Sequence, residues 1–189
     1  MPMNVPNILT LLRVAAIPLL VLLFYLPQPI ATWGCAVLFT VAAITDWFDG
    51  WLARRTGQTT AFGAFLDPVA DKLIVATALV LMAERYDSAL VTISACVVIG
   101  REIVVSALRE WMARLGRHAS VRVNQVAKVK TAMQMVAIVT LLTQTPSTGT
   151  FTLISLGKLI LIVAVILTLW SMVMYLQAFA EAIMESEEG

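Results

Sequence analysis

Hydrophobic residues in this chain fall in long blocks. They do not form the alternating pattern of a half-buried strand or the single stripe of a surface helix. Crossing a bilayer core of about 30 Å takes roughly 20 apolar residues of helix. The blocks predict helices over 8–26, 31–53, 68–84, 89–115, 124–142 and 151–180. Breakers separate them: Pro27 and Pro29, the stretch 57–63, Asp87 with Ser88, the stretch 116–120, and the stretch 146–149. The two longest blocks extend past the bilayer or tilt within it. The acidic end, 181–189, reads as frayed. No repeat or linker divides the chain. The expected fold is all-α and integral to the membrane, a six-transmembrane-helix bundle forming one membrane domain over 1–189.

Composition strengthens this reading. Of 189 residues, 60% are apolar and 13% are charged, against about 25% charged in a soluble domain. Mean hydropathy is +0.88. So few charges could not cover a water-facing surface around so much apolar material. A net charge of +1 gives no bias toward nucleic acid. Cys35 and Cys96 lie in separate apolar blocks and read as small hydrophobes rather than a disulfide or metal pair. The first charged residue is Arg13, with no basic segment before it, so the first block reads as a permanent span and not a cleaved signal.

Charge in the connections orients the bundle. Arg54 and Arg55 follow the second block; Arg114, Arg117 and Arg122 follow the fourth. The opposite connections offer Arg85, with Lys158 just inside the last block. The positive-inside rule then puts the exits of the even spans, and both termini, in the cytoplasm.

That face carries the candidate chemistry. Asp46, Asp49, Gly50 and Ala53 recur at i, i+3, i+4 and i+7, one face of the second helix. Asp67 and Asp71, at i and i+4, share a face of the third. A short return brings the two helices side by side, so four carboxylates can point into one pocket. Each Asp in mid-membrane costs about 2.5–3.5 kcal/mol on insertion scales. Clustered acids also repel one another and would protonate unless cations intervene. An all-oxygen donor set suits Mg²⁺ or Mn²⁺, or Ca²⁺, rather than zinc. The lone histidine, His118, lies in a basic connection and reads as a surface residue. Some members of the set have structural readings too. Asp67 before Pro68 could cap a helix that starts there. Gly50 and Gly63 could serve close helix packing. Capping and packing do not account for four acids together.

The run fits D-x2-D-G-x2-A-R-x8-G-x3-D-x3-D without departure. In this it resembles the CDP-alcohol phosphotransferase family, and the resemblance covers the whole chain. It implies two divalent ions, Mg²⁺ or Mn²⁺, held by Asp46, Asp49, Asp67 and Asp71, with Asp71 as general base. Spacing alone leaves the choice of base open. The resemblance also places the CDP moiety among Asp46, Asp49, Gly50, Ala53, Arg54 and Gly63. It implies transfer of a phosphatidyl group from CDP-diacylglycerol to a hydroxyl, with release of CMP.

A second polar set interrupts the fourth and fifth blocks. Arg101, Glu102, Ser106, Arg109 and Glu110 lie on the fourth, with Glu102, Ser106 and Arg109 on one face. Lys128, Lys130 and Thr131 open the fifth. Buried cations beside the acidic pocket suit an acceptor with its own phosphate. Interhelical ion pairs are the alternative. Lys128 and Lys130 point about 200° apart on an ideal helix, so they need not serve one ligand. Asn7, Thr10 and Arg13, together with TDWFDGWLARR, FGAFLDPVADK, REIVVSALREWM and KVKT, resemble the bacterial branch whose acceptor is glycerol 3-phosphate. On that resemblance Arg101, Ser106, Arg109, Lys128 and Lys130 would hold the acceptor phosphate, and Asn7, Thr10 and Arg13 would shape the entrance or bind headgroup. It further implies phospholipid synthesis at the bacterial inner membrane, with the active site on the cytoplasmic side, membrane lipid as partner, and a homodimer as a common assembly. Other acceptors within the family are inositol phosphate, serine and phosphatidylglycerol. A divalent-cation transporter would also carry intramembrane acids, but spread across the bilayer rather than gathered at one face.

Overall fold

Each apolar block folds as a helix in the computed structural model of the protein. The structure describes residues 5–56, 61–114, 125–147 and 149–187, with side chains described for 8–46, 66–113, 129–147, 149–177, 179–180 and 184. The helices are α1 (Val5–Phe24), α2 (Ile30–Thr56), α3 (Ala61–Tyr86), α4 (Ala89–Arg114), α5 (Gln125–Leu142) and α6 (Phe151–Glu187). There is no strand among the described residues.

Two boundaries differ from the sequence expectation by more than three residues. The third helix begins at Ala61, so Asp67 and Pro68 lie inside it and Asp67 is not its cap. Proline in a helix forfeits one backbone bond, here the donor for the carbonyl of residue 64, without forbidding the preceding turns. The last helix runs on to Glu187, so most of the acidic end is helical rather than frayed. At 1.5 Å per residue α6 is about 55 Å long, well beyond a bilayer core.

Around the bundle α1 packs on α2, α2 on α5, α5 on α6, α6 on α4, α4 on α3, and α3 back on α1. The ring closes on a core of Leu20, Phe39, Leu79, Met82, Ile138 and Leu161. α2 and α3 touch only lightly although they are neighbours in sequence. That leaves room between them for a cavity. α5 and α6 approach closely at Gly157, where an added Cβ would lie 2.8 Å from a Leu141 methyl.

Polar and cationic groups tie the ends of α1, α3 and α5 together. Arg85 Nη1 donates to the Leu142 carbonyl at 3.0 Å, and Tyr86 Oη donates to the Leu141 carbonyl at 2.8 Å. These are carbonyls of the last turn of α5, which have no partner within the helix. A cation there is also favoured by the helix dipole. Tyr25 Oη donates to Glu84 at 2.8 Å, and Lys158 sits 5.5 Å from the Tyr86 ring centre. α3 ends with Asp87 at φ 40°, its N–H donating to the Ala83 carbonyl at 3.2 Å. Aspartate adopts this left-handed conformation more readily than most side chains.

The outside of the bundle is apolar, with Leu12, Leu22, Ile44, Ile93, Ile166 and Trp170 all exposed. A water-soluble bundle would present polar faces there. Two segments, Ala89–Ala113 and Phe151–Gln177, are long and apolar enough to cross a membrane by length and composition. Of the two cysteines, Cys35 is buried in the core and Cys96 faces outward.

Candidate active site

Thr10 and Arg13 lie one turn apart on α1, so they share a face, and both are buried. That face meets the acids of α2 and α3. Arg13 Nη1 lies 3.2 Å from Asp46 Oδ1 and 3.1 Å from Asp71 Oδ1. Thr10 donates its hydroxyl to Asp67 Oδ1. Three of the four aspartates singled out in the sequence are therefore gathered by α1. The fourth, Asp49, lies on α2 with its side chain outside the described residues, as do the side chains of Ala53 and Arg54 and the surroundings of Gly50 and Gly63.

Arg13 is 2% exposed. Burying a guanidinium is costly unless it is paired and hydrogen-bonded. Its two carboxylate neighbours supply the pairing. In return the cation offsets the repulsion between acids that spacing alone would leave unbalanced. Among the described residues no three acidic, histidine or cysteine side chains come together as a ready ligand shell. Asp67 turns to Thr10, while Asp46 and Asp71 converge on Arg13. The donor set still suits a divalent cation: carboxylates from two helices approach one another, and every donor is a hard oxygen.

Asp46 and Asp71 open onto a cavity of about 310 Å³ bounded by α1 to α5. Its polar lining is Arg13, Asp46, Asp71, Lys72, Glu102, Thr131 and Gln134; the rest is largely apolar. Ala43 and Met135 line this cavity and also an open apolar groove between α2 and α5, with Ile44, Val136 and Val139 beside them. The polar pocket thus adjoins a greasy cleft on the bundle's outer surface.

The second polar set is only partly brought to this cavity. Glu102 accepts from Arg101 Nη1 at 2.9 Å and from Lys130 Nζ at 3.2 Å, an ion-pair triad joining α4 to α5. Arg101 Nη2 also donates to Ser171 Oγ on α6 at 2.7 Å. Arg109 turns away to α6, donating to Tyr175 Oη at 2.5 Å with its guanidinium 4.9 Å from that ring's centre. Ser106 donates to the Glu102 carbonyl at 2.6 Å and accepts from Lys72 Nζ. The side chain of Lys128 lies outside the described residues.

Sequence reasoning passed over Lys72 and Gln134, and gave Thr10 and Arg13 a role in shaping the entrance or binding headgroup. A signal existed for the α1 pair, whose i, i+3 spacing puts two polar groups on one side of an apolar helix. Lys72 had a weaker signal, a lysine directly after the last aspartate. Gln134 had none, because one amide in an apolar helix does not reveal which neighbour it faces.

A family model described as CDP-alcohol phosphatidyltransferase matches residues 3–170. The chain is 54% identical over 178 residues to the CDP-diacylglycerol–glycerol-3-phosphate 3-phosphatidyltransferase of Sodalis glossinidius (strain morsitans), covering 94% of this chain and 96% of that one. It is 53% identical over 178 residues to the protein of the same name from Escherichia coli (strain K12), with the same coverage. With that of Pectobacterium atrosepticum it shares 52% identity over 185 residues, 98% of this chain and all of the relative.

Proposed function

The chain belongs to the CDP-alcohol phosphatidyltransferase family, and from that premise we propose that it transfers a phosphatidyl group from CDP-diacylglycerol to glycerol 3-phosphate. The products are phosphatidylglycerophosphate and CMP, in phospholipid biosynthesis. The observation that carries this reading is the convergence of Asp46 and Asp71 on the wall of a cavity that adjoins an apolar cleft. A charged reaction centre beside a lipid-compatible groove is what a donor with one nucleotide end and two acyl chains requires.

In this reading the six helices all span the bacterial inner membrane, with both termini and the acidic face in the cytoplasm. The arginines at the exits of the second and fourth spans support that orientation. Asp46, Asp49, Asp67 and Asp71 would hold two divalent ions, Mg²⁺ or Mn²⁺, whose charge offsets that on the attacking and leaving oxygens. Gly50, Ala53, Arg54 and Gly63 would surround the CDP moiety. The acceptor hydroxyl attacks the phosphorus that carries diacylglycerol. A new P–O bond forms, the P–O bond to CMP breaks, and CMP departs with the bonding pair. A neutral hydroxyl is a weak nucleophile, so Asp71 accepts its proton. Arg13, in contact with both Asp46 and Asp71, offsets the repulsion between their carboxylates at the cavity wall. The acceptor's phosphate is assigned to the cations of α4 and α5, namely Arg101, Arg109, Lys128 and Lys130, with Ser106 beside them. Membrane lipid surrounds the protein, and a homodimer is its proposed assembly.

Purified protein, CDP-diacylglycerol and Mg²⁺ would be incubated separately with glycerol 3-phosphate, inositol phosphate, serine and phosphatidylglycerol while CMP release is followed. Release with glycerol 3-phosphate alone is expected. Release only with another acceptor would transfer the assignment to that acceptor.

A further inference from the structure

Positive charges around the cavity are mostly accounted for. Arg13 is paired with Asp46 and Asp71, and Arg101 and Lys130 with Glu102. Lys72 differs. It lines the cavity next to Asp71 in sequence, and among the described residues its ammonium meets no carboxylate. Its one partner among the described residues is the neutral hydroxyl of Ser106.

The direction of the bonds at Ser106 matters. The Ser106 hydroxyl has one proton, which it donates to the Glu102 carbonyl at 2.6 Å. Its oxygen can therefore only accept from Lys72. A Lys ammonium has three donors, so two remain after Ser106 is served. Ser106 holds the lysine by its tip without neutralising it. A fixed, half-buried cation with donors to spare is a site for an anion.

A second, independent feature points to a ligand in the same cavity. Gln134 is 5% exposed and lines the cavity on α5, and its amide makes no hydrogen bond among the described residues. Its amide atoms open onto the cavity and keep their hydrogen-bonding capacity for what enters it. It has donors and an acceptor to offer, which suits a hydroxyl.

We infer that Lys72 is the residue by which this site selects an acceptor carrying its own phosphate, and that the Gln134 amide takes a hydroxyl of the same molecule. Ser106 is then a positioning residue for Lys72. The inference rests on the phosphatidyl-transfer reading above and deepens it. It adds a cation on α3 to the basic residues of α4 and α5, and it gives the acceptor's polar backbone a partner on α5.

The test uses the full-length protein in detergent at fixed Mg²⁺, varying each substrate in turn. Lys72→Met should raise KM for glycerol 3-phosphate about tenfold or more, the equivalent of losing one charge-assisted hydrogen bond. KM for CDP-diacylglycerol should stay within about twofold, since the lost bond belongs to the acceptor alone. Lys72→Arg should recover most of the loss. Ser106→Ala and Gln134→Leu should each raise the same KM severalfold while leaving that for the lipid unchanged. Inorganic phosphate should compete with glycerol 3-phosphate in the wild type and lose that competition in Lys72→Met. If Lys72→Met does not give a folded protein by thermal melting, Ser106→Ala and Gln134→Leu decide the matter, and an unchanged acceptor KM in both overturns the inference. An unchanged acceptor KM in a folded Lys72→Met, or an equal rise for both substrates, overturns it as well. Both outcomes leave the underlying reading intact when the wild type is active. A wild type that releases no CMP with glycerol 3-phosphate overturns inference and reading together.

Discussion

Arg13 Nη1 stands 3.1 Å from Asp71 Oδ1, joining α1 to α3 through a buried guanidinium. The same nitrogen reaches Asp46 on α2, so one side chain links three helices at the acidic face. Replacing it with Met leaves two carboxylates facing each other. The expected loss of stability is about 1–3 kcal/mol, the range for depriving a polar group of its partner. Added Mg²⁺ should recover part of that loss, so the Mg²⁺-dependent rise in Tm should be larger in Arg13→Met than in the wild type. Thermal melts of both proteins with and without the ion measure it. Equal rises would remove Arg13 as the counter-charge of the cluster.

Asp71 is assigned the acceptor's proton. Asp71→Asn keeps the shape and loses the base, so kcat should fall by about 10²–10⁴, the usual worth of general-base catalysis. Asp67→Ala should also abolish most transfer, because Asp67 is assigned to the ions. CMP release by each folded variant is the measurement. Transfer retained in both would sink the metal-and-base assignment.

Glu102 is shared by Arg101 and Lys130, and its removal strands two cations. Glu102→Gln and Lys130→Met should each destabilise the protein, and the double variant by less than their sum. The interaction energy should lie in the range of about 0.5–3 kcal/mol found for residues in one network. Unfolding of the four proteins in detergent supplies the cycle. Strict additivity would show that the pair is incidental. Lys130→Met should also raise KM for glycerol 3-phosphate if Lys130 contributes to the acceptor phosphate site.

At the opposite end, Tyr86→Phe deletes the hydroxyl that caps the Leu141 carbonyl. A loss of about 1 kcal/mol is expected from one neutral hydrogen bond. Kinetic constants should not move, since the bond lies away from the cavity lining. A changed KM for either substrate would mean that this end of the bundle is coupled to the site.

The helices were legible because apolar length and breaker residues are local properties, read without knowing any neighbour. The acidic cluster was legible for the same reason: i, i+3 and i+4 spacing puts Asp46 with Asp49, and Asp67 with Asp71, on one face each whatever lies opposite. The start of α3 was misread because Pro68 marks a first turn in one context and a tolerated interior position in another, and only the packed chain distinguishes them. What α1 contributes was also not legible. Thr10 and Arg13 showed a shared face, but nothing local said that this face meets Asp67, Asp46 and Asp71.

By itself, then, the sequence determined an apolar helical chain, its family, and the identity of the acids at its centre. The tertiary structure alone decided which charges are spent on one another and which stay available. Glu102 holds Lys130 and Arg101, while Lys72 rests on a serine. The physical reason is that charge compensation depends on contacts between helices, and residue spacing along a single helix carries no information about the helix packed against it.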